Sequence, residues 1–225
     1  MALLSVIVPV YNEAKTIRDI LAKINALDID KEMVVVDDGS TDGTDKILMD
    51  IKYNCLKVIH HTSNRGKGAA FLTGLTNASG EFVIIQDADL EYDPNDYQKL
   101  LTEVRENHAD MVLGNRFRKE YHGLFMHKMG NRFLTWLLNA LFSAKLNDYA
   151  TCYKIARRQV FESLNLKATG FDIDVEVVCN ALKKRLRLLE IPVCYNPRTY
   201  KEGKKIRWSD GLWAMYYIIK YRFVG

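Results

Sequence analysis

The sequence is poor in the features that mark small stapled, metal-clipped or membrane-spanning proteins. Its four cysteines, Cys55, Cys152, Cys179 and Cys194, never stand at CxxC or metal-finger spacing. In a chain of 225 residues that points to free, mostly buried thiols in a reducing compartment and away from a disulfide frame. The histidines (His60, His61, His108, His122 and His127) show no HExxH-type spacing and read as surface or loop residues. The longest charge-free stretch, Phe133 to Ala144, falls well short of the roughly 20 apolar residues that cross a bilayer. The opening "MALLSVIVPVYNE" lacks a basic n-region and a small-residue cleavage site, and Pro9 is out of place in a secretory leader. Net charge is only +4, a mild excess that suits an anionic ligand or surface and not a nucleic-acid protein. The basic stretches 183–187 and 198–207 also lack the aromatic platform that single strands would stack on. Without repeats or low-complexity linkers the chain reads as one domain, residues 1–207, with residues 208–225 as a C-terminal aromatic helix of that domain.

What is present is a strand–helix alternation. Ser5 to Val10, Met33 to Val36, Leu56 to His60, Phe82 to Gln86 and Met111 to Gly114 are short apolar runs, as expected of strands covered on both faces. Between them lie helical patterns. In "NEAKTIRDILAKINAL", Ile17, Ile20, Leu21 and Ile24 recur at helical spacing. Gly39 and Gly43 make a turn, and Thr41 or Asp42 can cap the next helix. Pro94 and Asn95 open a helix running to about Arg105. Strands separated by such helices predict βαβ units and a mostly parallel sheet. Past residue 115 the rhythm changes. A basic loop precedes a Phe133–Ala144 helix, "TCYKIARR" is a strand and turn, "FDIDVEVVCNALKKR" a helix, "LRLLEIPVCY" a strand, and "SDGLWAMYYIIKYRF" a Trp- and Tyr-rich helix.

Ligands of open α/β sheets gather at the carboxyl ends of the strands. Glu13, Asp37 with Asp38, and Asp87 with Asp89 and Glu91 all follow strands and are expected to converge on one edge. Carboxylate oxygens suit Mg²⁺ or Mn²⁺. In an extended segment, residues two apart point the same way, so Asp87 and Asp89 can share a cation while Ala88 leaves room for a ligand. Short DxD motifs occur by chance; the buried strand before this one and its acidic company favour a metal site. "NRGKGAA" has the look of a phosphate cradle but lacks the full P-loop pattern, so a structural turn is the plainer expectation. For Asp172 and Asp174, charge complementing a helix N-terminus is the plainer reading. Aromatics beside Lys220 and Arg222, and the apolar Phe133–Ala144 helix, are either core and rim or interfacial surfaces.

The ordered set "SVIVPVYNEAKTI", "VVVDDGSTDGT", "NRGKGAA", "IIQDADLEYDP", "LGNRF", "DYATCYKIARR", "GFDIDVEVV" and "EIPVCYNPRTYKEGKK" resembles the family-2 glycosyltransferases of the GT-A fold, and within them the polyprenyl-phosphate sugar synthases. The resemblance covers about residues 3 to 207. It implies an inverting, metal-dependent transfer of mannose or glucose from a GDP or UDP sugar to a polyprenyl phosphate. Pro9, Tyr11 and Glu13 would line the nucleotide pocket, and Val36 and Asp38 would hold base and ribose. Asp87 and Asp89 would ligate Mg²⁺ or Mn²⁺, with Ala88 at the diphosphate. Glu91 stands where the mannosyl-phosphate synthases usually carry Gln and could add a third ligand. Arg198 and Lys204 match basic positions that meet the donor's phosphates, although Lys201-Glu202-Gly203 departs from the usual loop. Arg116 would meet the acceptor phosphate. Asp148 would act as a base or orient the sugar, or else cap the next turn. Relatives often carry transmembrane helices beyond this region, so a lipid acceptor implies a peripheral place at the cytoplasmic face of a membrane, or a membrane-protein partner. The alternatives are transfer to a sugar hydroxyl and a non-catalytic nucleotide-sugar binder.

Overall fold

The computed structural model describes residues 2–106, 109–117, 125–198 and 208–224. Strands β1 (Leu4–Val10), β2 (Lys31–Asp37), β3 (Leu56–His60), β4 (Phe82–Ile85), β5 (Met111–Asn115), β6 (Lys154–Arg157) and β7 (Leu188–Pro192) form one sheet. Their order is β3-β2-β1-β4-β6-β5-β7. β6 pairs antiparallel with β4 and β5, while the other pairings are parallel. The sheet is thus mostly parallel, as expected. The helices are α1 (Ile17–Asn25), α2 (Thr44–Asp50), α3 (Lys67–Asn77), α4 (Tyr97–Glu106), α5 (Phe125–Phe142), α6 (Arg158–Ser163), α7 (Ile173–Lys183) and α8 (Trp208–Phe223). A 3₁₀ turn, Pro94–Asp96, leads into α4.

The apolar runs become strands because helices cover both faces and leave no side of β1 or β4 wet: Leu4, Val6, Ile7, Val8 and Val83 are wholly buried. α1 turns Ile17, Ile20, Leu21 and Ile24 into the same core, the face its spacing required. α3 lies close on β1 because Gly74 has no side chain; a Cβ there would come within 2.4 Å of Ile7 Cγ2.

Three expectations shift. The helix expected from Phe133 begins at Phe125, so the last eight residues of the presumed basic loop are helical. Gly130 and its polar neighbours weaken the local helix signal, but Asn131 Nδ2 reaches Asp148 Oδ1 at 3.0 Å and the helix packs on α8, contacts too distant in sequence to be read locally. At α2 the cap position is Gly43, with φ +94°. Asp42, one residue earlier, still accepts the Thr44 N–H at 3.1 Å. His61, expected at the surface or in a loop, follows β3 with a buried ring that bonds Asp38 and Thr73. Among the described residues the four cysteines are joined in no disulfide with one another.

Candidate functional site

Six strands point the same way and β6 runs back, so the loops after β1, β2, β3, β4, β5 and β7 and the segment before β6 meet at one edge. The first two loops are stitched together. Ser40 Oγ accepts the Asn12 N–H at 2.9 Å, Asn12 Oδ1 the Thr41 N–H at 2.8 Å, Thr44 Oγ1 the Glu13 N–H at 3.0 Å and Asp42 Oδ2 the Ala14 N–H at 3.0 Å. The polar residues of "DDGSTDGT" therefore fix the loop that carries Tyr11 and Glu13. Asn12 sits at φ +53°; Asn tolerates this conformation better than most residues.

Asp38 is turned inward. Its carboxylate accepts the Arg65 and Gly66 N–H groups at 2.9 and 2.7 Å and lies 2.6 Å from His61 Nδ1. Val36 is wholly buried within β2, opposite Pro9 of β1. Both residues, expected at the base and ribose, thus sit behind the loop surface, while Tyr11 is exposed at the rim.

The DxD segment is held from below. Gln86 Nε2 donates to the Asp87 carbonyl at 2.7 Å, and Gln86 Oε1 accepts the Tyr97 and Tyr153 hydroxyls at 2.6 and 2.8 Å. Leu90 adopts φ +63°, a conformation costing roughly 1–3 kcal/mol, of the kind found at ligand clamps. Ala88 is buried between the two aspartates. Arg198 Nη2 meets Asp89 Oδ2 at 2.9 Å, and its Nη1 meets Glu13 Oε2 at 3.1 Å. Loops after three strands are thereby clamped by one guanidinium. Glu91, expected as a third metal ligand, spends its oxygens on the Tyr195 hydroxyl and the Arg198 N–H, each at 2.8 Å, and so latches the segment that carries Arg198. Lys204 lies outside the described residues.

Beneath the DxD runs a second chain of charge. Lys67 Nζ bridges Asp87 Oδ1 at 2.8 Å and Asp174 Oδ2 at 3.0 Å, and the wholly buried Lys154 reaches Asp174 Oδ1 at 2.7 Å. Asp172 and Asp174 do stand at the start of α7, where charge complements the helix. Asp174 is also the counter-ion for two buried ammonium groups. Burial would lift its pKa, but Lys154 and Lys67 outweigh burial and hold it below the usual range. "NRGKGAA" is the structural turn expected: Ala69 N–H and Gly68 N–H donate to the carbonyls of Thr169 and Gly170. A Cβ on Gly68 would lie 2.3 Å from Ala168 O, so the start of α3 is closed by backbone.

On the other flank Asp148 is fully buried and saturated. Its Oδ2 accepts Arg116 Nε at 2.7 Å and the Arg116 N–H at 3.1 Å; its Oδ1 accepts Arg116 Nη2 at 2.7 Å and Asn131 Nδ2 at 3.0 Å. Arg116 also lies 5.2 Å over the Tyr195 ring. Asp148 is thus committed to holding the Arg116 guanidinium in place and is not a free carboxylate.

The donor set fits a divalent cation. Burial, then the charges of Asp87 and Glu91, raise Asp89 to about 7 in spite of Arg198, a crowding that a cation relieves. The buried Nε of Arg198 has no hydrogen-bond partner among the described residues, which leaves a donor for an anion. Among the described residues no three His, Cys, Asp or Glu side chains form a ready cage; Mg²⁺ characteristically takes one or two carboxylates with substrate phosphates completing its shell.

A mostly parallel α/β sheet with acidic loops and basic clamps at one edge defines the GT-A class of glycosyltransferase folds, and solved structures agree. Glucosyl-3-phosphoglycerate synthase of Mycobacterium tuberculosis, crystallised with Mn²⁺, UDP and phosphoglyceric acid, superposes with TM-score 0.77 at 17% identity, over 100% of this chain and 80% of that one. S. aureus TarS in complex with UDP-GlcNAc gives TM-score 0.64 at 21% identity, over 97% and 66% of the two chains. The family model "Glycosyl transferase family 2" matches residues 5–164, and the chain belongs to that family. Among curated relatives, the dolichol-phosphate mannosyltransferase of Pyrococcus furiosus is 30% identical over 89% of this chain and 58% of its own length. A low-salt glycan biosynthesis hexosyltransferase of Haloferax volcanii is 30% identical over 87% and 48%. The dodecaprenyl-phosphate galacturonate synthase of Rhizobium johnstonii is 28% identical over 72% and 50%. The chain spans about half the length of these relatives.

Proposed function

We propose that this chain is an inverting, metal-dependent hexosyltransferase that moves mannose or glucose from a GDP or UDP sugar to a polyprenyl phosphate. The observation that carries the reading is the pairing of two cations across the site: Arg198 over Asp89 and Glu13, and Arg116 locked by Asp148. Two anionic reactants, a nucleotide diphosphate and a phosphate monoester, need such separate fixed charges to approach one another. The relatives named for dolichol-phosphate and dodecaprenyl-phosphate products support the acceptor class.

In this reading Pro9, Tyr11 and Glu13 line the donor side, and Val36 and Asp38 support it through β2 and the 61–66 loop. Arg198 meets the diphosphate. Asp87 and Asp89 would hold Mg²⁺ or Mn²⁺, which when bound neutralises charge on the leaving diphosphate. Arg116 orients an oxygen of the acceptor phosphate at the anomeric carbon. A new carbon–oxygen bond forms as the bond to the diphosphate breaks, and configuration inverts. No proton needs to be taken, because the acceptor is already anionic near neutral pH.

Transfer to a sugar hydroxyl would require a base. Asp148 already accepts four hydrogen bonds, which favours the phosphate acceptor and makes Asp148 the positioning residue of Arg116. Acting on a lipid phosphate, the chain would work peripherally at the cytoplasmic face of a membrane or on a membrane protein. Among the described residues no helix is long and apolar enough to cross one. The test is labelled-sugar transfer from GDP-mannose and UDP-glucose to a short polyprenyl phosphate and to the corresponding free alcohol. Product from the phosphate alone supports the reading; product from the alcohol, or from a glycan hydroxyl instead, overturns the acceptor assignment.

A further inference from the structure

A groove of about 720 Å³ opens between α7 and α8, on the face of α7 turned away from the donor site. Asp172, Glu176, Asn180 and Lys183 recur along that face, whereas Asp174 lies two positions off, about 200° around the helix. Lys167, Lys183, Lys184 and Lys220 line the groove. Its two carboxylates are already engaged. Glu176 accepts the Lys167 and Ala168 N–H groups at 2.9 and 2.8 Å, and Asp172 accepts the Gly170 N–H and the Tyr221 hydroxyl at 3.2 and 3.1 Å. The C-terminal ends of α7 and α8 offset roughly half a charge each, so four ammonium groups still leave the groove positive.

Beside it lies an apolar shelf. Trp213, Tyr216 and Phe223 of α8 are 59%, 52% and 71% exposed, and Phe133 and Trp136 of α5 are 53% and 62% exposed. α5 and α8 pack against each other, which puts the two exposed aromatic sets on neighbouring helices. Lys220 stands 5.6 Å from the Tyr217 ring centre, beside the shelf. Large exposed apolar patches mark interaction sites, and Trp and Tyr beside Lys and Arg are the composition of a helix lying in a membrane interface.

We propose that this surface docks on a membrane leaflet and that the α7–α8 groove holds the phosphate headgroup of an anionic lipid. The shelf enters the acyl boundary and the lysines meet the phosphate above it. The inference shares with the lipid-acceptor reading only the placement at a bilayer.

The test is co-sedimentation of the full chain with phosphatidylcholine vesicles, with and without phosphatidylglycerol. Wild type is expected to bind the anionic vesicles roughly tenfold or more tightly. Lys184→Glu with Lys220→Glu should lose that preference, while Lys46→Glu with Lys52→Glu, on and just after α2, should keep it. Trp213→Ser with Phe223→Ser should weaken binding to both kinds of vesicle. Thermal midpoints of all variants establish that each is folded. No preference for anionic vesicles, or its equal loss in the Lys46/Lys52 variant, overturns the proposal. So does stabilisation of wild type by soluble glycerol phosphate without any vesicle preference, which would assign the groove to a free phosphate. Metal-dependent nucleotide-sugar binding by wild type separates the two readings. Its presence without any preference for anionic vesicles sinks only this inference, and its absence alongside an intact lipid preference sinks only the transferase reading.

Discussion

At Asp174 a single carboxylate faces Lys67 and Lys154, and Lys67 in turn holds Asp87. Removing one partner of a buried ion pair strands the other and costs about 3–5 kcal/mol. Asp174→Ala is therefore expected to lower the urea midpoint strongly, and Asp172→Ala, which loses one neutral donor and one hydroxyl, by about 1 kcal/mol. Equal effects would contradict the network. Glu32 supplies the pH test. Burial alone would raise its pKa, but bonds from the Ser5 hydroxyl, Ser79 and the Gly80 N–H outweigh burial and hold it below its ordinary 4.5. A depressed folded pKa contributes stability above the ordinary value that is lost as pH falls through the folded one. Glu32→Gln should thus cost about 1 kcal/mol at neutral pH, and the gap to wild type should close in strong acid; a gap that widens there would refute the assignment. The paired aspartates of the DxD were legible because their spacing alone aligns them. Asp174 was not, since nothing near it in sequence announces Lys67 or Lys154.

Elements carry their own tests. Gly74 lets α3 approach β1, and a Cβ would strike Ile7 Cγ2. Gly74→Ala is expected to destabilise by about 1–3 kcal/mol, with partial rescue by Ile7→Leu, which removes the branched methyl. Gly130, inside α5, has open space where a Cβ would stand, with no atom of the described residues within 4 Å. Gly130→Ala should instead stabilise by about 0.5–1 kcal/mol. Thermal or urea unfolding of both variants checks the contrast in sign. The same helix explains a misjudged boundary: Gly130 and its polar neighbours hide a helical turn that α8 and Asp148 stabilise from afar. Strands β1 to β5 were legible because each is an apolar run bounded by turn residues. The reversed direction of β6 was not, because antiparallel pairing depends on the chain's route back across the sheet and leaves the local pattern unchanged.

Across the whole molecule, one sheet edge gathers Glu13, Asp89 and Arg198 from loops far apart in sequence, with Lys67 and Asp87 beneath and Arg116 with Asp148 alongside. This convergence followed from strand order and could be expected as soon as the acidic clusters were placed at strand ends. The saturation of Asp148 and Glu91 could not, because it depends on donors brought in by α5 and by the segment after β7. The account rests on Asp87 and Asp89 as the seat of a divalent cation that answers the donor's diphosphate. Calorimetric or thermal-shift titration of GDP- and UDP-sugars, with and without Mn²⁺, on wild type and Asp89→Asn tests this most directly. Stabilisation by about 2.7 kcal/mol at a hundredfold excess over Kd, by one nucleotide class, only with metal and only in wild type, is the expected result; donor binding indifferent to both the metal and the substitution would contradict it.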